Sequence, residues 1–131
     1  MTEDKTSANI VTTEAGRTAL RVFFRIAMAW GLADSDQSTL LGVTKVQVAA
    51  WRAGEVSSPL PEHAVLRLSY IFGIYAALHT LLPIAERADA WVKKPNSSPL
   101  FKGGSALQRM LSGDIDDLRL VRAYLDAQVH T

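Results

Sequence analysis

The sequence predicts an all-α protein, an N-terminal helix-turn-helix bundle continuous with a small helical C-terminal domain. Three observations predict this. The stretch DQSTLLGVTKVQVAAWRAG, residues 36–54, reads as two short helices hinged at Gly42. Residues 13–30 place Leu20, Phe23, Phe24, Ala27 and Trp30 on one stripe at helical spacing. Residues 61–82 form a long, mostly apolar run that opens at Pro61 and stops before Pro83.

Taken in order, residues 1–12 form a polar, flexible tail, and Thr12 or Thr13 starts the first helix. Arg17, Arg21 and Arg25 recur every four residues on that helix, either as a solvated stripe or as a phosphate contact. Residues 13–60 make up the helix-turn-helix region. Asp34 or Ser35 is expected to cap its first short helix, because a short side-chain oxygen satisfies orphan backbone N–H groups. Gly42 ends that helix, and Thr44 with Gln47 has capping-box spacing for the next, which Gly54 closes. Leu40, Leu41, Val43, Val48 and Trp51 fall between the two helices, which leaves Lys45, Gln47 and Arg52 outward.

Residues 55–60 form a turn, residues 61–83 a central core helix, and residues 84–131 a C-terminal domain. Within the last, Ile84–Val92 is a short helix ending in Trp91. Pro95 and Pro99 then forbid a helix through KKPNSSPLFKGG, and Gly103–Gly104 allow a tight turn. Ser105 and Gln108 offer a second capping box, for a helix ended by Gly113. Asp114 opens the final helix, with Ile115, Leu118, Val121, Arg122 and Leu125 as its stripe.

A helix from Thr44 to Ala53 would run about 15 Å at ~1.5 Å per residue and fits a major groove roughly 12 Å wide. Arg and Gln suit guanine and adenine edges, while Lys and Thr hold phosphates. The candidate DNA-facing set is Gln37, Thr44, Lys45, Val46, Gln47, Ala50 and Arg52. The net charge is only +1, and residues 1–60 carry six basic and six acidic groups. Phosphate neutralisation supplies most nonspecific affinity, so a neutral head calls for a dimer with half-sites roughly 34 Å apart. Ala49 and Ala50 on the outward face point the same way.

With 131 residues, 48% of them hydrophobic, the chain can bury a core. Without cysteine it has no disulfide, thiolate zinc site or cysteine nucleophile, which fits the cytoplasm. His63, His79 and His130 lack the spacing of a helical metal site, and His79 reads as a satisfied core residue. Asp114, Asp116 and Asp117 sit at a helix start, where negative charge is favourable. No phosphate-cradling loop, dinucleotide fingerprint or GxSxG motif occurs. The expectation is therefore no catalytic residue, metal or cofactor. Residues 65–84 are long enough to span a bilayer, but Arg67, Ser69, His79 and Thr80 favour a buried pillar and no membrane partner.

The order of the pieces matters: a helix-turn-helix, RLSYIFGIYAALHTLLP, W…PNSSPLFKGGSALQRMLSG and DDLRLVRAYLDA. From about Arg17 to Gln128 this resembles the Xre/MbcA/ParS antitoxins of bacterial toxin–antitoxin pairs. The specific part is the set Trp91, Pro95–Asn96, Pro99–Leu100, Gly103–Gly104 and Leu107, which is similar to that family's toxin-binding domain. The resemblance implies an Xre-like head, homodimerisation, operon repression and a RES-domain toxin partner that consumes NAD or transfers ADP-ribose. It implies inhibition by covering the toxin's NAD pocket. Trp91, Phe101, Gly103, Gly104, Leu107 and Met110 would shape the toxin-facing module. Arg122, Tyr124, Asp126, Gln128, Val129 and His130 would lie nearest the toxin cleft. Two features depart from the family's pattern, namely Phe101–Lys102 before the glycines and the alanine-rich recognition helix.

Read from the residues alone, Leu118, Val121 and Leu125 close the core, and Trp91 is core more than contact. Tyr124 and Arg122 fit either a core rim or an interface anchor. The alternative reading of the whole chain is a stand-alone helix-turn-helix regulator whose C-terminal domain mediates dimerisation or binds another partner.

Overall fold

The computed structural model describes residues 12–131, so the tail expected over residues 1–12 lies, apart from Thr12, outside the described residues. The fold is all-helical. In order, α1 is Thr13–Ala29, α2 Asp34–Leu41, α3 Lys45–Arg52, α4 Glu62–Leu81, α5 Ala85–Trp91, α6 Ala106–Met110 and α7 Ile115–Val129. No strand occurs among the described residues, and one isolated antiparallel bridge joins Pro95 to Ser105. The chain divides into two compact units between Ser69 and Tyr70, inside α4.

In the first unit, Thr12 caps α1 by accepting the Ala15 N–H at 3.0 Å. Leu20, Phe23, Ala27 and Trp30 are buried as the stripe predicts. Phe24 differs: it is half-buried, edge-on to Phe23 at 5.5 Å, with the Arg52 guanidinium 5.4 Å from its ring centroid. Arg17 is no solvated residue either, because its Nη2 donates to the Val56 carbonyl at 2.6 Å. Arg21 and Arg25 are exposed.

The start of α2 corrects the expected cap. Neither Asp34 nor Ser35 is the N-cap residue; Ala33 is, and it has no side-chain oxygen to offer. Asp36, one turn in, instead reaches back to accept the Ala33 N–H at 3.1 Å. Its carboxylate also sits where the helix dipole favours negative charge. At the other end Gly42 adopts φ 68° and ψ 31°, the left-handed conformation that an L side chain resists. Arg67 from α4 donates to the Thr39 carbonyl in the last turn of α2, at 3.2 Å. A charge inside an apolar helix is thereby matched to orphan carbonyls at another helix's C-terminus. Thr44 caps α3 as expected, accepting the Gln47 N–H at 3.1 Å.

By length and composition α4 could cross a bilayer, yet nearly half of its apolar window is buried within the protein. Ala64, Val65 and Leu68 belong to the core of the first unit, and Ile71, Ile74, Ala77 and Leu78 to that of the second.

In the second unit Ile71, Ile74, Ala88, Val92, Phe101, Leu118 and Val121 are buried. Gly73 leaves room for the Arg122 side chain of α7, which would have to shift to admit a Cβ there. A 3₁₀ turn, Pro99–Phe101, occupies part of the stretch read as irregular. Proline tolerates this position because the first residue of a helical turn needs no N–H partner. The second capping box is reciprocal: Ser105 Oγ accepts the Gln108 N–H at 3.1 Å and Gln108 Oε1 accepts the Ser105 N–H at 2.8 Å. Asp114 caps α7 by accepting the Asp116 N–H at 2.9 Å.

Gly42→Ala is expected to lower unfolding free energy by about 1–2 kcal/mol through left-handed backbone strain alone. Ser105→Ala should cost about 1 kcal/mol by loss of the cap. Urea unfolding of each variant reads both numbers, and an unchanged midpoint contradicts the corresponding assignment.

Candidate functional site

Two surfaces carry candidate residues, one in each unit. The first is the outer face of α3. Thr44 and Lys45 are exposed, and Val46 is 80% exposed at the helix start. Gln47 and Ala50 are half-buried, and Ala49 is exposed. Lys45 makes no ion pair or side-chain hydrogen bond among the described residues, so its charge is available to an anion. Val46 is the one large apolar group on this face, a type that suits contact with a thymine methyl.

Gln37 does not belong to that face, which corrects its placement among base-reading residues. It is 7% exposed, its amide donates to the Leu32 carbonyl at 3.0 Å, and its Oε1 accepts from Arg52 at 2.8 Å. Arg52 also pairs with Asp34 at 3.1 Å and covers the Phe24 ring. Its guanidinium therefore clips α3 to the starts of α2 and to α1, so its geometry is that of a brace. What the start of α3 leaves accessible is Thr44, Lys45, Val46 and, in part, Gln47.

The second surface is built around the segment between α5 and α6. With two prolines this segment cannot satisfy its backbone as a helix, so it bonds to itself and its flanks. The Asn96 N–H donates to the Gly104 carbonyl at 2.9 Å, and the Leu107 N–H to the Val92 carbonyl at 2.8 Å. Asn96 Oδ1 accepts the Ser98 N–H at 2.8 Å, which makes a local side-chain turn. Lys102 and Gly103 turn the chain at φ 50° and 85°, and the Gly104 N–H closes on the Phe101 carbonyl.

This closure sets a row of aromatic rings. Trp91 meets Phe101 edge-on at 6.1 Å, and Phe101 meets Tyr124 edge-on at 5.3 Å. Such edge-to-face pairs contribute about 0.5–1.5 kcal/mol each beyond their buried area. Phe101 is 5% exposed and Met110 1%, so both act from within the core. Trp91 and Tyr124 are half-buried and reach the surface.

There they line an open apolar groove of about 180 Å³. Leu78, Leu81 and Leu82 form one wall, and Tyr124, Leu125 and Gln128 of α7 form another, with Trp91 and Asn96 completing it. Of the expected toxin-facing set, the groove gathers Trp91, Tyr124 and Gln128. Gly103, Gly104, Leu107 and Met110 serve the loop and core beside it. Arg122 lies 3.6 Å from Asp126, half-exposed, and Val129 is half-buried, while Gln128 and His130 are exposed on the last turns of α7. The sequence reading missed Leu78, Leu81 and Leu82 as a wall, although their i, i+3, i+4 spacing marks one helix face.

Two polar ties hold this unit. Arg109 donates to Asp117 and to the Leu100 carbonyl, at 2.8 and 2.9 Å, fixing α6 to α7 and to the aromatic loop. The Asp117 carboxyl is held below its usual range, first by the Ser112 hydroxyl and then by Arg109. His79, expected to be a satisfied core residue, pairs with Asp89 at 3.0 Å and stacks on Tyr75 at 4.1 Å. Burial, then the Asp89 charge, raises the Tyr75 hydroxyl above its ordinary pKa. No group of three or more metal-ligating side chains occurs among the described residues.

A depressed carboxylate stabilises the fold above its unfolded pKa and loses that effect as pH falls through the folded value. Asp117→Asn is therefore expected to be less stable than the parent at neutral pH. Its deficit should shrink in acid, below the ordinary aspartate range. A deficit constant across pH in thermal unfolding contradicts the charge assignment.

Residues 77–130 match the family described as the antitoxin Xre/MbcA/ParS C-terminal toxin-binding domain. Every residue lining the apolar groove falls within that match. The chain is also 44% identical over 110 residues to the uncharacterized protein y4oB of Sinorhizobium fredii (strain NBRC 101917 / NGR234). That alignment covers 83% of this chain and 82% of the relative.

Proposed function

Since residues 77–130 match the C-terminal toxin-binding domain of the Xre/MbcA/ParS antitoxins, we propose that the chain is an antitoxin whose toxin is a RES-domain enzyme that consumes NAD or transfers ADP-ribose. The antitoxin inhibits by occupation, with its C-terminal module laid over the entrance to the toxin's NAD pocket. The observation that carries this reading is the coincidence of the family match with the open groove that gathers Trp91, Tyr124 and Gln128. Aromatic anchors on a firmly braced surface suit tight binding, because little side-chain freedom is lost on association. Arg122 and Asp126 supply a charge pair that fixes register at the rim. The antitoxin needs no chemistry of its own for this role.

The helix-turn-helix gives the second half of the proposal: the antitoxin, in the cytoplasm, represses its own operon. Thr44, Lys45, Val46 and Gln47 face operator DNA, with Ala50 behind them and Arg52 and Gln37 as the frame. Because residues 1–60 balance six basic against six acidic groups, one head binds weakly, and a homodimer or toxin-bound assembly supplies the second head.

Coexpression with the RES-domain protein tests the first half. The two proteins are expected to co-purify, and cellular NAD is expected to hold at the level of cells without toxin. A chain that neither co-purifies nor preserves NAD contradicts the proposal. For the second half, Lys45→Ala should weaken operator binding and reduce the salt slope by about one. An unchanged slope removes Lys45 from the phosphate contacts.

A further inference from the structure

We propose that the groove walled by the end of α4, Trp91 and α7 is a receptor for one apolar side chain of the toxin, of phenylalanine or leucine size. The toxin thus inserts into the antitoxin here, in addition to being covered by it. This rests on the reading of residues 77–130 as the toxin-binding module.

Size decides the class of occupant. Small-molecule and cofactor sites usually enclose about 300–1,000 Å³, and the groove has about 180 Å³. An apolar cavity of about 150 Å³ suffices for a benzene-sized group. One side chain fits. The lining agrees: Leu78, Leu81, Leu82, Trp91 and Leu125 are apolar, and no charged residue lines the groove. A phosphate or carboxylate has no counter-charge there.

The polar groups present suit a peptide. Asn96 uses its Oδ1 on the Ser98 N–H, which leaves its NH₂ group to donate. Gln128 is exposed, and its carboxamide has no hydrogen bond among the described residues. Both line the groove, where they are placed to bond the backbone on either side of an inserted residue. Ile84, two residues past Leu82, is a further exposed apolar side chain, 49% exposed. A pocketed apolar anchor ringed by polar contacts is the usual form of an interface hot spot.

The test uses the full chain with the coexpressed RES-domain toxin as the probe. A photo-reactive benzoylphenylalanine in place of Gln128 should crosslink to the toxin, at a segment that carries a large apolar residue. Gln128→Arg, at an exposed position, should weaken toxin affinity at least about tenfold with no change in unfolding midpoint. Leu82→Trp, which fills the groove, should give the same loss. Parent-like affinity in both variants overturns the groove proposal while leaving the antitoxin reading intact. So does a crosslink that joins two copies of this chain. A parent chain that fails to bind the toxin at all overturns the underlying reading, and the groove proposal with it.

Discussion

The second unit depends on how a proline-broken segment satisfies its own backbone. Between α5 and α6 the chain cannot be a helix, and it has no sheet to join. Its peptide groups close instead on each other, Asn96 to Gly104 and Leu107 to Val92. Once that loop is shut, Phe101 is driven inward between Trp91 and Tyr124. Arg109 then ties the loop to α7 through Leu100 and Asp117. The groove beside Trp91 is a consequence of this closure. Beside it lie the loop's backbone bonds and the buried Phe101 ring.

The first unit solves a different problem with equally few parts. A helix as short as α3, eight residues, gains little from its own propensity, so it must be held from outside. Arg52 does this by meeting Asp34, Gln37 and Phe24 at once. The cost is one cation withdrawn from an already neutral head. Held in this way, the Arg52 charge is matched within the first unit.

The all-helical fold was legible because its signals are local. Thr12, Thr44, Ser105 and Asp114 each cap a helix within three residues, and Gly42 ends one, whereas the helix expected to run to Gly113 already ends at Met110. Where a signal had two local readings, the choice required the third dimension. Asp34, Ser35 and Asp36 all look like caps, and only the position of Ala33 at the helix start shows which one reaches back. Gln37 and Arg52 read as outward polar residues because their pairing spans fifteen positions. The pairing of His79 with Asp89 is hidden for the same reason. For the candidate site, Trp91, Tyr124 and Gln128 were visible as a set only through resemblance to a family. Their shared groove, with its leucine wall from α4, emerges from packing that no spacing encodes.

The most direct test of the account is hydrogen exchange on the full-length chain, alone and in complex with its toxin. The account predicts new protection concentrated at Leu78–Leu82, Trp91–Asn96 and Tyr124–Gln128, with the exposed face of α3 unchanged. Protection confined to α3, or spread evenly without the groove segments, would contradict it.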